Sequence, residues 1–426
     1  MPTSTALKEA LYTGAYDERL RRVYVTDEAV RAQYDRYAAL ADEFARLYDG
    51  ERDIRLFSAP GRTEVGGNHT DHNHGKVLAA GIDLDAVAAA AVNSENIVRV
   101  KSAGYSMDVV DLSDLSVQEN ETGHSPALVR GMCQGFLNYG YKIGGFDAAT
   151  ASRVLSGSGL SSSAAYEVLV GTMLNYLYND GAVDAVTIAK IAQYAENEYF
   201  GKPCGLMDQT ACSVGSFVTI DFEDPKVPII EEVKFDFASC GHALCIVDTK
   251  GNHSDLTDEY GFIRSEMESV AQYFGKSVLR EVPEAEFYGE IAEVRKKVGD
   301  RAVLRAMHFY ADNARVEKEV SALRAGDFEA FKQYILESGS SSYMYNQNVF
   351  SVKKPTDQPV SLALAVSERV LRGKGAWRVH GGGFAGTIQA FVPLELLDAY
   401  KSEMERIFGE GACYVLSIRP VGGTEI

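Results

Sequence analysis

Between Gly61 and Asp83 the chain reads GRTEVGGNHTDHNHGKVLAAGID, setting Arg62, Asn68, His69, Asp71 and His72 among five glycines. Apolar runs, IRLFSAP and AVAAAAV, flank it. Polar groups this dense beside segments bound for a core are suited to chemistry, and the pattern alone leaves open which. A second string, LSGSGLSSSAAYEV (Leu155 to Val168), is more informative. Gly157 and Gly159, with Ser158 and Leu160 beside them, permit backbone conformations that bring N–H groups close to a ligand. Ser161, Ser162 and Ser163 then open a run of helix formers. A glycine turn feeding a helix N-terminus offers converging amides and a positive dipole end, which suits a phosphate. Serine hydroxyls at that place can bond a phosphate or Mg²⁺. The lysine of a Walker A loop is missing, and the spacing is not G-x-G-x-x-G. The bland reading is a glycine turn capped by serine.

Two further strings carry candidates. HGGGFAG (His380 to Gly386) contains Gly382 and Gly383 in a turn with nothing protruding, suited to lying under a ligand. Alone it reads as a plain β-turn; paired with the first loop it suggests a nucleotide held between two lobes. GKPCGLMDQTACSVG puts Asp208 where an apolar, small-residue segment begins. Such an aspartate is either a helix cap or a functional carboxylate. Glu196, in the preceding helical pattern, is a metal carboxylate or an exposed helix charge.

These residues need elements to hold them. Residues 1 to 50 read as a helical leader packed on the body, with its first dozen residues loose. From Ile54 to about Leu112 short β-like runs predict strands at IRLFSAP, AVAAAAV, IVRVKSA and MDVVDL. Helices are predicted at SPALVRGMCQGFLNYGYKI, SSAAYEVLVGTMLNYLY and DAVTIAKIAQYAENEYF, then strands at SVGSFVTIDF and HALCIVDT. Helices follow from Tyr260 to Phe274 and from Pro283 to Ser338, and the end reads strand, helix, strand. The order lacks regular β-α alternation, so α+β is expected, with a first lobe over 51–218 and a second over 219–426.

The bulk properties exclude some partners. The chain has 426 residues and a formal net charge of −18, which speaks against nucleic acid or an anionic membrane surface. It leaves room for a phosphorylated ligand gripped by backbone amides and a metal. The six cysteines are scattered without a C-x-x-C pair, so neither a disulfide framework nor a structural zinc site is expected. The polar opening residues show no signal-peptide pattern, and a cytoplasmic location is expected.

Read together, APGRTEVGGNHTDHNHGKVLAAGI, LSGSGLSSSAAYEV and HGGGFAGTIQA resemble the three signature motifs of the GHMP small-molecule kinases, and the first resembles the galactokinase signature. PCGLMDQ, HSDLTDEYGFIR and ARVEKEVSALRAGDFEAFKQYILES also follow galactokinase patterns, so the resemblance runs from about Ser58 to Val392. It implies a two-lobed GHMP kinase fold, with a ribosomal-protein-like β-α lobe, a ferredoxin-like lobe and the active site in the cleft. It implies Asp208 as base for a sugar's anomeric hydroxyl and Arg62 beside it. Asn68, His69, Asp71, His72, Gly205 and Tyr260 fall at sugar-side positions. Gly157 to Ser163, with Gly382 and Gly383, fall at the ATP phosphates, and Ser162 and Glu196 match Mg²⁺ ligands. The implied partners are ATP and a small sugar, and the implied state is a monomer or weak homodimer.

The chain also departs from that signature. Asn68 stands where the family has a glutamate that bonds the sugar's hydroxymethyl end, and His72 replaces a tyrosine. Thr63-Glu64 stands where Val-Asn is usual, Ala385 adds a methyl group to the glycine turn, and Gly339 replaces a frequent histidine. The expected activity is an ATP-dependent sugar 1-kinase acting on galactose or a close relative. The alternatives are a galacturonate or other galactose-derivative kinase, since an amide at position 68 would accept a carboxylate that glutamate repels, and a non-catalytic sugar sensor.

Overall fold

A computed structural model describes residues 3–154, 159–251 and 256–426. By density of internal contacts the chain forms two compact units: Met1–Arg62 with Gly81–Ser216 and Arg419–Ile426, and Thr63–Ala80 with Phe217–Ile418. The segment Thr63–Ala80, assigned from sequence to the first lobe, is counted with the second unit.

The first unit is a sheet covered by helices. Its strands are β1 (Arg55–Gly66, up to Arg62), β2 (Lys76–Val92, from Gly81), β3 (Ile97–Ser102), β4 (Met107–Asp111) and β5 (Phe146–Ser152). β2 runs antiparallel to β5, β5 parallel to β3, and β3 antiparallel to β4. The C-terminal strand Thr424–Glu425 pairs with β1. Alternation along the alanine-rich β2 explains its composition: Val87, Ala89 and Ala91 join one apolar cluster, while Ala86, Ala88 and Ala90 are buried as well. A strand covered on both faces reads as a continuous apolar run, and small side chains let the covering layers approach.

The cluster on the odd face is supplied by the leader. Leu7, Leu11, Leu20, Val30, Tyr37 and Phe44 pack with Ile54, Leu56, Val87 and Ile426. Within the opening dozen expected to be loose, Ser4–Tyr12 is instead a helix with Leu7 and Leu11 fully buried four residues apart. The strand β5 (FDAATAS) was not read from sequence; only its small, weakly alternating residues mark it.

In the second unit, β6 (Phe217–Asp221) pairs with residues 76–80 of β2 and with β7 (Ile229–Val233). A separate antiparallel sheet contains β8 (His242–Asp248), β9 (Ala376–Val379), β10 (Thr387–Pro393) and β11 (Cys413–Leu416), in the order β11-β8-β10-β9. One helix, Leu397–Phe408, lies between β10 and β11 in sequence; several, including Thr257–Tyr273, Asp300–Ala325 and Phe328–Ser341, lie between β8 and β9. This is a β-α-β-β-α-β plan with an enlarged first crossover, the ferredoxin-like arrangement. No helix among the described residues is long and apolar enough to cross a membrane.

Candidate active site

In the first unit the candidate base is held from two sides. Arg62 lies on β1, where its backbone N–H donates to Leu160 O at 3.1 Å. Its guanidinium Nε donates to Asp208 Oδ1 at 2.8 Å and its Nη1 to Gly159 O. Ser161 Oγ donates to Asp208 Oδ2. Asp208 is the second residue of the Met207–Val214 helix, whose cap position is Leu206, so the capping role is ruled out by place. Its side chain is 36% exposed and that of Arg62 10%, leaving the carboxylate reachable by a ligand. Burial works to raise the Asp208 pKa; the Arg62 charge, the bonds from Ser161 and Arg62, and Lys202 outweigh it and hold the value below the ordinary one. Gly205 lies exposed in the loop just ahead of this helix.

The serine-rich string begins the Ser162–Tyr178 helix as expected. Leu160 is fully buried, Gly159 is exposed with φ +73°, and Gly157 and Ser158 lie outside the described residues. Glu196 is no exposed helix charge. It is buried in the π-helical turn Ala195–Phe200, its Oε1 meeting Lys202 Nζ at 2.9 Å and Ser163 Oγ at 3.2 Å. Its Oε2 accepts from Gln209 Nε2 at 2.7 Å. The structure thus brings Ser163, the neighbour of Ser162, into bond with Glu196. Sequence reasoning missed Glu167, fully buried four residues after Ser163, with Gln209 Nε2 at 3.2 Å from its Oε2. Burial and the Glu196 charge push its pKa well above the carboxylate range. An acidic residue inside an otherwise apolar helix was the available clue.

The second unit holds the rest of the first motif. Gly67 has φ +78°, and a Cβ there would come 2.2 Å from Lys76 O, so the tight turn requires glycine. Asn68 is fully buried and its amide is used up. Nδ2 donates to Glu64 Oε1 at 2.9 Å and to Gly381 O at 2.8 Å, while Oδ1 accepts from Ser342 Oγ at 3.1 Å and Asn348 Nδ2 at 2.9 Å. Two donors and two lone pairs are all an amide has. Its backbone is engaged too: the N–H donates to Asp312 Oδ2 at 2.8 Å, and the carbonyl accepts from His308 Nε2 at 2.8 Å. Glu64 also accepts from Arg378 Nη2 at 2.9 Å. All four hydrogen-bonding positions of the Asn68 amide are thus engaged within the protein.

His69 Nε2 donates to Gly382 O at 3.0 Å, and Tyr260 OH donates to Gly383 O at 3.1 Å, so both side chains join the glycine turn. Gly383 has φ +82°, and a Cβ would stand 1.9 Å from Asn348 O. Asp71 and His72 lie in the short helical turn Asp71–Asn73. Asn73 Oδ1 accepts from the Leu279 N–H at 3.0 Å, which turns its Nδ2 to His72 Nδ1 at 2.9 Å. The His72 proton then sits on Nε2, a buried atom without a hydrogen-bond partner. Burial, with His69, Arg264 and His308 nearby, pushes the His72 pKa well down and keeps the ring neutral. Sequence reasoning missed Arg378, His308, Asp312 and Ser342, which sit in helical and strand patterns that single out no polar residue, and Asn348 in the loop beyond.

The family "GHMP kinases N terminal domain" matches residues 127–216, and the "Galactokinase galactose-binding signature" matches residues 42–92. A galactokinase of Streptomyces coelicolor is 32% identical over 374 residues, covering 87% of this chain and 92% of that protein. The structure of Lactococcus lactis galactokinase complexed with galactose superposes with a TM-score of 0.75 at 23% identity, over 92% of this chain and 100% of that one. Methanococcus jannaschii mevalonate kinase gives a TM-score of 0.61 at 14% identity, over 87% and 99%. The two structures share the fold; the Streptomyces relative and the two signatures carry the kinship. The chain belongs to the galactokinase family of the GHMP kinases and is a sugar kinase.

Proposed function

We propose that this kinase transfers the γ-phosphoryl group of ATP to the anomeric hydroxyl of galactose or a close relative, with Asp208 as the base. The Arg62–Asp208 ion pair at 2.8 Å carries the reading. A carboxylate with a depressed pKa is ionised at neutral pH and is a weak base, effective by placement. It accepts the hydroxyl proton as the sugar oxygen attacks, and Arg62 steadies the charge that develops. ATP phosphates are assigned to Gly157 to Ser163 with Gly382 and Gly383, Ser161 by its backbone N–H alone. Hard oxygen donors suit Mg²⁺, and among the described residues no group of three or more His, Cys, Asp or Glu could hold a metal. Ser162 and Glu196 are the residues that would hold it, and the ion would neutralise phosphate charge.

His69, Asp71, Tyr260 and Gly205 are assigned to the sugar, and Asn68 is reassigned to holding the motif in shape. A second reading, galacturonate, is favoured by one observation: the unpartnered His72 Nε2–H is a donor and suits an acceptor such as a carboxylate. A coupled ADP-release assay over galactose, galacturonate, N-acetylgalactosamine, arabinose and glucose decides between them by rank. In the same assay Asp208→Asn is expected to abolish turnover and leave sugar binding intact; full activity in that variant sinks the base assignment.

A further inference from the structure

Ser161 makes two locally unfavourable choices at once. Its backbone is left-handed, φ 58° and ψ 59°, a region that residues other than glycine rarely adopt. It also occupies the cap position of the Ser162–Tyr178 helix, where a serine ordinarily turns its oxygen onto the amides of the first turn. No such bond forms. The hydroxyl points instead to Asp208 Oδ2, while Arg62 holds Oδ1 at 2.8 Å. The helix takes a backbone bond here, from Ala165 N–H to Ser161 O at 3.0 Å, but nothing from the side chain, and a hydroxyl bonded to a carboxylate is not offered to a phosphate. The carboxylate is what it serves.

We propose that Ser161 is a positioning residue for Asp208, its hydroxyl switching from donor to acceptor as Asp208 takes up the substrate proton. The inference rests on the reading of Asp208 as base. In that step the sugar O–H bond breaks and its proton goes to a carboxylate oxygen. The electron pair stays on the sugar oxygen, which bonds the γ-phosphorus as the bond to ADP breaks. Asp208 has then become an O–H donor. Arg62 can only donate, so it cannot answer that change; a serine hydroxyl both donates and accepts, and by rotating it keeps the new acid paired.

The test is Ser161→Gly, since glycine is at ease with positive φ and the change removes the hydroxyl without adding strain. Steady-state kinetics with ATP and the best sugar of the panel are read beside a thermal melt, with Asp208→Asn as a parallel control. The expected result is an undiminished melting temperature, a KM for ATP within about twofold of the parent, and a kcat lower by roughly tenfold or more, the range for losing a bond to a charged group. An unchanged kcat overturns the proposal. So does a raised KM for ATP at constant kcat, which makes Ser161 a phosphate ligand. Turnover surviving in Asp208→Asn removes the base reading itself, an outcome distinct from either.

Discussion

Glu64 and Asn68 face each other across 2.9 Å, and Arg378 meets the same Glu64 oxygen at 2.9 Å. The galactokinase signature places an amide at the first of these positions and a carboxylate at the second; this chain carries them in exchanged order. Asn68→Glu alone sets two buried carboxylates against one guanidinium. Glu64→Asn alone leaves Arg378 without its charge partner. Breaking a buried pair typically costs about 3–5 kcal/mol. The double exchange restores one carboxylate and one amide, and we expect it to recover about 1–3 kcal/mol relative to the sum of the singles in urea unfolding. If Asn68 instead met the sugar, Asn68→Glu would reorder the sugar panel without loss of stability. The polar richness of Gly61–Asp83 was legible, yet which of its side chains turn inward was not. Hydrogen-bond partners such as Ser342 and Asn348 lie over two hundred residues away in sequence, and spacing carries no trace of them.

The helix Asp300–Ala325 does more for the motif than its amphipathic pattern indicates. Besides His308 and Asp312 it carries Glu319, which is 1% exposed with neither carboxylate oxygen hydrogen-bonded. A Cβ at Gly66 would meet Glu319 Oε2, so the missing side chain is the space that the carboxyl occupies. Burial first, then Asp312 and Glu64, push its pKa well above the ordinary value against the pull of Arg378 and Arg315. A carboxyl raised in the folded state binds more protons there than when unfolded. Its contribution is therefore full below the unfolded pKa and is lost as pH rises toward the folded value. Glu319→Gln keeps the shape and removes the titration. We expect the variant to melt higher than the parent at pH 8 and alike at pH 4; parallel melting curves at both would show that Glu319 is not the group responsible. Periodicity sufficed for this helix and for the β8 and β10 strands, whose apolar runs are long. It failed for β5, where alanine, threonine and serine carry little signal, and it could not show the helix as the floor of a binding motif.

Asp85 organises the first unit as a whole. Fully buried on β2, it pairs with Arg36 of the leader and, at 3.3 Å, with Arg419, and it accepts from Tyr24 OH at 2.6 Å and from Ser58 Oγ. Burial would raise its pKa, and the two guanidinium groups with these bonds pull it below 3.8. Its stabilisation is therefore complete at neutral pH and fades only as pH falls through the depressed value. Arg419→Met, which leaves the carboxylate one cation, is expected to cost about 3–5 kcal/mol in urea unfolding at pH 7. A loss below 1 kcal/mol would place the burden on Arg36 alone. Ile426 lies in the leader's apolar cluster, so the same unit owns both the opening residues and the closing ones. During synthesis this order matters. Arg419 and Ile426 emerge only after all of Phe217–Ile418, a wait on the order of ten to forty seconds at usual elongation rates. Until then Asp85 has one cation and the leader lacks its last apolar partner. Residues 419–426 join the first unit only after residues 217–418 have been made, and until then the leader's cluster is without Ile426.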